Sequence, residues 1–216
     1  MARLNVNPTR MELTLLKRRQ VTARRGHKLL KDKRDELMKQ FLDIVRQNKA
    51  LRIKVEQALV AAAGSFTVAA AAMSPAQMEQ ALLYPKQSVE LDYTLKNIMS
   101  VNVPVYQTCM ATDDAADIYP YGFAATPGEL DDAVSHIAEI LPSLLELAQT
   151  EKTVQLLSIE IEKTRRRVNA LEYVMIPQFE ETIRYISMKL EENERGNLSR
   201  LMKVKDMMLA EAHDFK

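Results

Sequence analysis

Read in alternating steps of three and four from Leu13, the chain gives Leu13, Leu16, Gln20, Ala23, His27, Leu30, Arg34, Leu37, Phe41, Ile44, Asn48, Leu51, Val55 and Ala58. Ten of these fourteen positions are apolar, with charges between them. A seam kept for more than six heptads marks a left-handed coiled coil. The polar members Gln20, His27, Arg34 and Asn48 cost stability and tend to fix register. At 1.5 Å per residue, a helix from about Met11 to Ala63 is roughly 80 Å long, too long to fold inside a compact globule of this size.

The C-terminal third repeats the pattern. Val154, Leu157, Ile161, Thr164, Val168, Leu171 and Met175 continue one seam, and the steps then change to 4, 4 and 3 through Phe179, Ile183 and Ile186. Val168 to Phe179 spans eleven residues, a stutter that locally unwinds a coiled coil. Pro177 falls within it and predicts a bend, because proline lacks the donor that an α-helix needs. Two long helices with one seam each predict an intramolecular antiparallel pair, with residues near 13 beside the C-terminus and those near 58 beside 150.

The residues between read differently. Ser74, Pro75 and Gln77 form a capping box that opens a short helix. "SVELDYTLK" alternates Val89, Leu91, Tyr93 and Leu95 with polar residues, and "VNVPV" alternates again, so two short strands are predicted, with Pro104 on an edge. "DDAADIYPYGFAATPG" reads as an acidic loop. It ends in a second capping box, Thr126 to Glu129, and Pro142 predicts an early kink in the helix that follows. The expected organisation is mainly α: an N-terminal coiled-coil helix (1–63), a middle region with a short helix, hairpin and loop (64–128), and a C-terminal coiled-coil helix (129–216) kinked near 142 and 177.

Charge is divided along the chain. Residues 1–34 hold eleven Lys and Arg against two acids, whereas residues 64–150 hold Lys86 and Lys96 against eleven acids. Such bipolarity predicts different partners at the two ends. The uncharged run Ala58 to Ala72 is shorter than the roughly 20 apolar residues of a bilayer span and is read as a closely packed helix end. The lone Cys109 permits no internal disulfide and fits a reducing compartment.

Chemistry finds little support. None of Gly26, Gly64, Gly122, Gly128 and Gly196 precedes Lys-Ser or Lys-Thr, so no P-loop is present. His27, His136 and His213 are far apart in sequence. Asp113, Asp114 and Asp117 lack the rest of a calcium loop and read as solvated acids. No catalytic, cofactor or metal residue is predicted. The basic start, "KRRQVTARRGHKLLKDKR", admits a nucleic-acid reading, but it has no aromatic residue for stacking and no recognised DNA-binding pattern. A charged helix face, or contact with an acidic protein, suits it better.

Two segments carry a resemblance. "PTRMELTLLKRRQVTARRGHKLLKDKRDELM", Pro8 to Met38, resembles the N-terminal segment of the D subunits of V-type and archaeal A-type rotary ATPases. "RRRVNALEYVMIPQFEETIRYISMKLEENERGNLSRLMKVK", Arg165 to Lys205, resembles their C-terminal segment. Together they span about a third of the chain in the matching order. The resemblance implies a non-catalytic central axle, the rotor stalk, standing in a ring of catalytic A and non-catalytic B subunits. It also implies contacts with the F subunit and with the subunit that joins the axle to the membrane ring. The complex would lie on the cytoplasmic face of a bacterial or archaeal plasma membrane, with neither direct membrane insertion nor nucleic-acid binding.

On that footing Lys17, Arg18, Arg19, Arg24 and Arg25 are expected to face the bore. Gly26, Leu30, Leu37, Asn48, Asn169 and Leu171 would serve packing and register, with Gly26 permitting close approach of the paired helix. Pro177 would bend the axle, and Val55, Leu59, Leu147, Val154 and Leu157 would meet the F subunit. The residues by themselves also allow a free-standing coiled-coil scaffold or a basic coiled coil that binds nucleic acid.

Overall fold

A computed structural model describes residues 3–112, 114–122 and 126–214. The elements are α1 (Arg10–Ala72), α2 (Pro75–Leu82), β1 (Val89–Ile98), β2 (Val101–Met110), a 3-10 turn (Ala115–Ile118), α3 (Gly128–Ala170), a π-turn (Leu171–Met175) and α4 (Ile176–Asp214). The chain is mainly helical and forms an antiparallel two-helix coiled coil with a small hairpin region. It divides into two compact units, residues 1–34 with 162–216, and residues 35–161.

In the first unit α1 opens behind Thr9, whose Oγ1 accepts from the Glu12 backbone N–H at 3.2 Å, leaving one fewer orphan donor in the first turn. Every seam residue from Leu13 to Arg34 is buried or half-buried, as the heptad requires. Leu16 packs with Phe179 and Ile186, and Leu4, Val6, Leu13 and Ile183 close over them. Arg10 pairs with Glu194, Arg24 with Glu180 and His27 with Glu172, so partner numbers fall as α1 numbers rise. The helices are therefore antiparallel. The segment before α1 joins the same core, with the Leu4 backbone N–H donating to Thr182 Oγ1 at 3.2 Å and the Arg3 guanidinium 4.4 Å from the Tyr185 ring centre.

The π-turn explains the stutter. The Ile176 N–H bonds the carbonyl of Leu171, five residues back, so the turn takes up one extra residue. Pro177 follows immediately and has no N–H to give to Tyr173. Helix continues on both sides, so the wider turn is a local accommodation of a proline and a phase change together.

In the second unit the pairing is also antiparallel. Asn48 Nδ2 donates to Thr150 Oγ1 at 3.4 Å, and Val55 and Ala62 pack with Ile140. Further along, Ala69 and Met73 pack with Leu130. Within the run Ala58 to Ala72, Ala62 and Ala69 are buried in the seam, whereas Leu59, Val60, Phe66 and Val68 are exposed. Pro142 is exposed and lies inside α3, which runs unbroken past it from Gly128 to Ala170. Pro142 therefore does not interrupt the helix, and its ring lies on the outer, exposed face. α3 starts at Gly128, and the Thr126 hydroxyl donates to the Gly122 carbonyl at 3.1 Å.

The Ser74–Gln77 capping box forms as predicted, with Pro75 in the first turn of α2. β1 and β2 make a two-stranded antiparallel sheet in which Leu95 faces Pro104 and Tyr93 faces Tyr106. Their two-residue turn places Met99 (φ 49°) and Ser100 (φ 72°) in the left-handed region, the twist that suits a tight hairpin. The Asn97 side chain steadies the turn by accepting from the Ser100 N–H at 3.0 Å. Val101 and Val103 are buried against Leu37, Leu157 and Ile161, and Tyr106 N–H donates to Gln149 Oε1 at 2.9 Å. Side chains alternate across a strand. The opposite face, with Val89, Leu91, Tyr93 and Leu95, is therefore turned outward and exposed.

Candidate functional site

The basic residues of α1 stand on its outer face because the seam consumes every third or fourth position. Lys17, Arg18, Arg19, Arg24 and Arg25 are all exposed. Arg24 is neutralised by Glu180 at 2.6 Å, and Glu180 also accepts from Gln20 Nε2 at 3.3 Å. Lys17, Arg18, Arg19 and Arg25 have no ion pair among the described residues. A cationic strip without internal counter-charge suits an acidic surface supplied by another molecule.

The residues expected to set packing and register divide. Leu37 is fully buried, Leu30 and Leu171 are half-buried, and Asn48 meets Thr150 across the seam. Asn169 is exposed on the outer face, off the seam. Gly26 is corrected as well: a Cβ built there meets nothing within 4 Å, so this glycine leaves open space and does not serve close approach.

The five residues expected at an external protein contact also divide. Val55 and Leu157 are only 2% and 0% exposed, consumed by the chain's own core. Leu59 is exposed and Leu147 and Val154 are half-buried, leaving apolar surface to offer. Three further apolar surfaces are exposed that the sequence did not mark as contacts. They are the outer hairpin face, the α2 end at Leu82, Leu83 and Tyr84, and the last part of α4 at Leu198, Leu201, Met202, Val204, Met207, Met208 and Leu209. Alternation and helical spacing were the available signal, but periodicity marks an amphipathic element without saying what covers it.

Titratable groups are engaged structurally. His27 Nε2 lies 3.4 Å from Glu172 Oε2, and His136 Nδ1 lies 3.1 Å from Ser65 Oγ. The Tyr121 hydroxyl donates to Asp131 Oδ1 at 2.8 Å. Burial first, then that hydrogen bond and the Asp131 charge, push its phenol well above the ordinary tyrosine value. Cys109 is a free, exposed thiol. Among the described residues no group of three His, Cys, Asp or Glu side chains is placed to hold a metal ion. Asp113 and the His213 side chain lie outside the described residues.

A family model that describes the D subunit of ATP synthase matches residues 12–206. The V-type ATP synthase D subunit of Acetivibrio thermocellus is 66% identical over 216 residues, covering 100% of this chain and 97% of that protein. Its Clostridium novyi counterpart is 60% identical over 209 residues, covering 96% and 97% of the two chains. That of Clostridioides difficile is 59% identical over 216 residues, with 100% and 97% covered.

Proposed function

Because this chain belongs to the family of V-type ATP synthase D subunits, we propose that it is the central axle of such a complex. It would carry torque between a headpiece of catalytic A and non-catalytic B subunits and a membrane ring that moves H+ or Na+. The observation that best supports this reading is the free end of α4. The α1 helix begins at Arg10, which pairs with Glu194, so α1 offers no partner to α4 beyond that point. From Glu191 to Leu209 every residue is exposed, including four leucine or valine and three methionine side chains. A lone amphipathic helix in water is marginal, and an exposed apolar strip of this kind asks for a surrounding protein surface. A bore would supply it.

The cationic strip on α1 then lies along the same helix pair and faces the ring. Nucleotide chemistry belongs to the A subunits in this reading, and the axle acts by contacting the three A/B pairs differently as it turns, biasing each toward open or closed. Leu59, Leu147 and Val154 remain the contacts proposed for the F subunit. The exposed Leu82, Leu83 and Tyr84 suit the subunit that joins the axle to the membrane ring. α1 contains an 18-residue window apolar enough, by length and composition, to cross a membrane. Ala62 and Ala69 of that helix are packed against α3, so we assign the stretch to protein contacts on the cytoplasmic face.

The test is a pull-down of tagged chain from its native cells, with an ATPase assay on the eluate. Recovery of the A, B and F subunits with activity supports the axle. Recovery of the chain alone, or with nucleic acid, overturns it. Truncation after Glu194 should keep the helix pair folded and weaken headpiece binding.

A further inference from the structure

Within the first unit, beside the π-turn, lies an open trough of about 630 Å³. Ala23, Leu171 and Met175 give it an apolar lining, and the exposed Arg18 and Arg19 border it. Two features keep it open. Gly26 lines it with no side chain, and a Cβ there would touch nothing within 4 Å. The π-turn carries Met175 off the seam, so that it is 41% exposed instead of packed. π-turns occur often at functional positions.

We propose that this trough docks an acidic–apolar segment of one of the ring proteins: a helix end or turn in which one or two Asp or Glu side chains stand beside a large apolar one. The inference rests on the axle reading above and names the partner chemistry at one place on it. A purely acidic loop would leave Leu171 and Met175 facing water, and a purely apolar one would desolvate two guanidinium groups without a counter-charge. Only the combination satisfies both. The chain does not answer this need itself. Arg18 and Arg19 have no ion pair among the described residues, although Arg24, about one turn on, is paired with Glu180. The acids that face this part of α1 from the paired helix, Glu180 and Glu172, meet Arg24, Gln20 and His27 instead. Arginine also suits a carboxylate better than lysine, because its planar fork can hold both oxygens.

The experiment uses the full chain assembled with the A/B headpiece. Arg18→Ala/Arg19→Ala removes the charge, Gly26→Leu fills the trough, and Lys49→Ala serves as a charge control in the other unit. Gly to Leu within a helix favours folding, so loss of function by the filled variant is not loss of structure, and a melting curve checks this. We expect each test variant to bind the headpiece roughly three- to tenfold more weakly, the range of a few interfacial contacts. The arginine variant should also show a shallower salt dependence, and Lys49→Ala should match wild type. A Gly26→Cys chain with Cys109→Ser, labelled with a benzophenone maleimide, should photocrosslink to a peptide bearing Asp or Glu within about three residues of Leu, Met or Phe. Wild-type binding by both test variants, or a crosslinked peptide without acids, overturns the docking site while the axle stands. Failure of the wild-type chain itself to bind the headpiece overturns both.

Discussion

Leu171 and Phe179 belong to one seam although eight residues separate them. In an unbroken α-helix eight residues advance by about 800°, roughly 80° beyond two full turns, which would carry Phe179 off the interface. The π-turn absorbs one residue, so the helix advances as if by seven, roughly 20° short of two turns. The extra residue is thus a phase corrector, and it sits where Pro177 has no N–H to offer. Deleting the exposed Tyr173 from the π-turn while replacing Pro177 with Ala should restore a continuous α-helix with the seam in register. Its thermal midpoint should fall within a few degrees of wild type. Deleting the exposed Glu181 from the regular part of α4 should instead rotate everything after it by about 100°. That takes Ile186, which is fully buried, and its neighbour Ile183 away from Leu16, at about 1.5–3 kcal/mol for each side chain so exposed. A loss of about 3–6 kcal/mol is a large share of a marginal stability. Circular dichroism melts of the two deletions decide the matter. If the Tyr173 deletion with Pro177→Ala melts as low as the Glu181 deletion, the phase-corrector account is wrong.

Three further outcomes are expected. Gly26→Ala should raise stability by about 0.5–1 kcal/mol in urea unfolding, because the new Cβ meets nothing and helix propensity improves. Leu157→Ala should cost about 2–5 kcal/mol by the same assay, since Leu157 is fully buried among Leu37, Val101, Val103 and Ile161, whereas Leu59→Ala on the exposed face should cost far less. Tyr121→Phe should cost about 0.5–1.5 kcal/mol at pH 8 for the lost hydrogen bond to Asp131. The Tyr121 pKa is raised by folding, so its stabilisation is complete below the unfolded tyrosine value, near 10, and declines as pH climbs from there toward the folded value. The Phe variant should show a flatter stability profile above about pH 10, read from melts across pH.

The helix pair was legible in the sequence because a heptad is a local rotation rule. From Leu13 to Ala58 each expected seam residue is buried or half-buried, although four of them are polar. The capping box at Ser74 was legible for a similar reason, since its bonds are made within four residues. The candidate contacts were less so. Exposed arginines could be read from their positions off the seam. Val55 and Leu157 were expected at an external surface and are enclosed by their own chain, because apolar character alone does not distinguish a core from an interface.

Pro142 and Pro177 show where local rules stop. Both are prolines within long helical patterns. One sits on an exposed face of a continuous helix, and the other follows a π-turn. The hairpin shows the same limit: alternation in "SVELDYTLK" marked a strand correctly, but its apolar face points outward while Val101 and Val103 of the second strand hold the sheet to the helices. By itself the sequence determined the long helices, most of their seam and the strands, since these follow from spacing and from bonds between near neighbours, whereas Met175, expected on the seam, is exposed beside the π-turn. Only the tertiary structure decided which side of the hairpin is covered, how an eight-residue step is kept in phase, and that Gly26 leaves a trough. Those outcomes depend on what stands opposite each side chain, and packing between distant segments settles that.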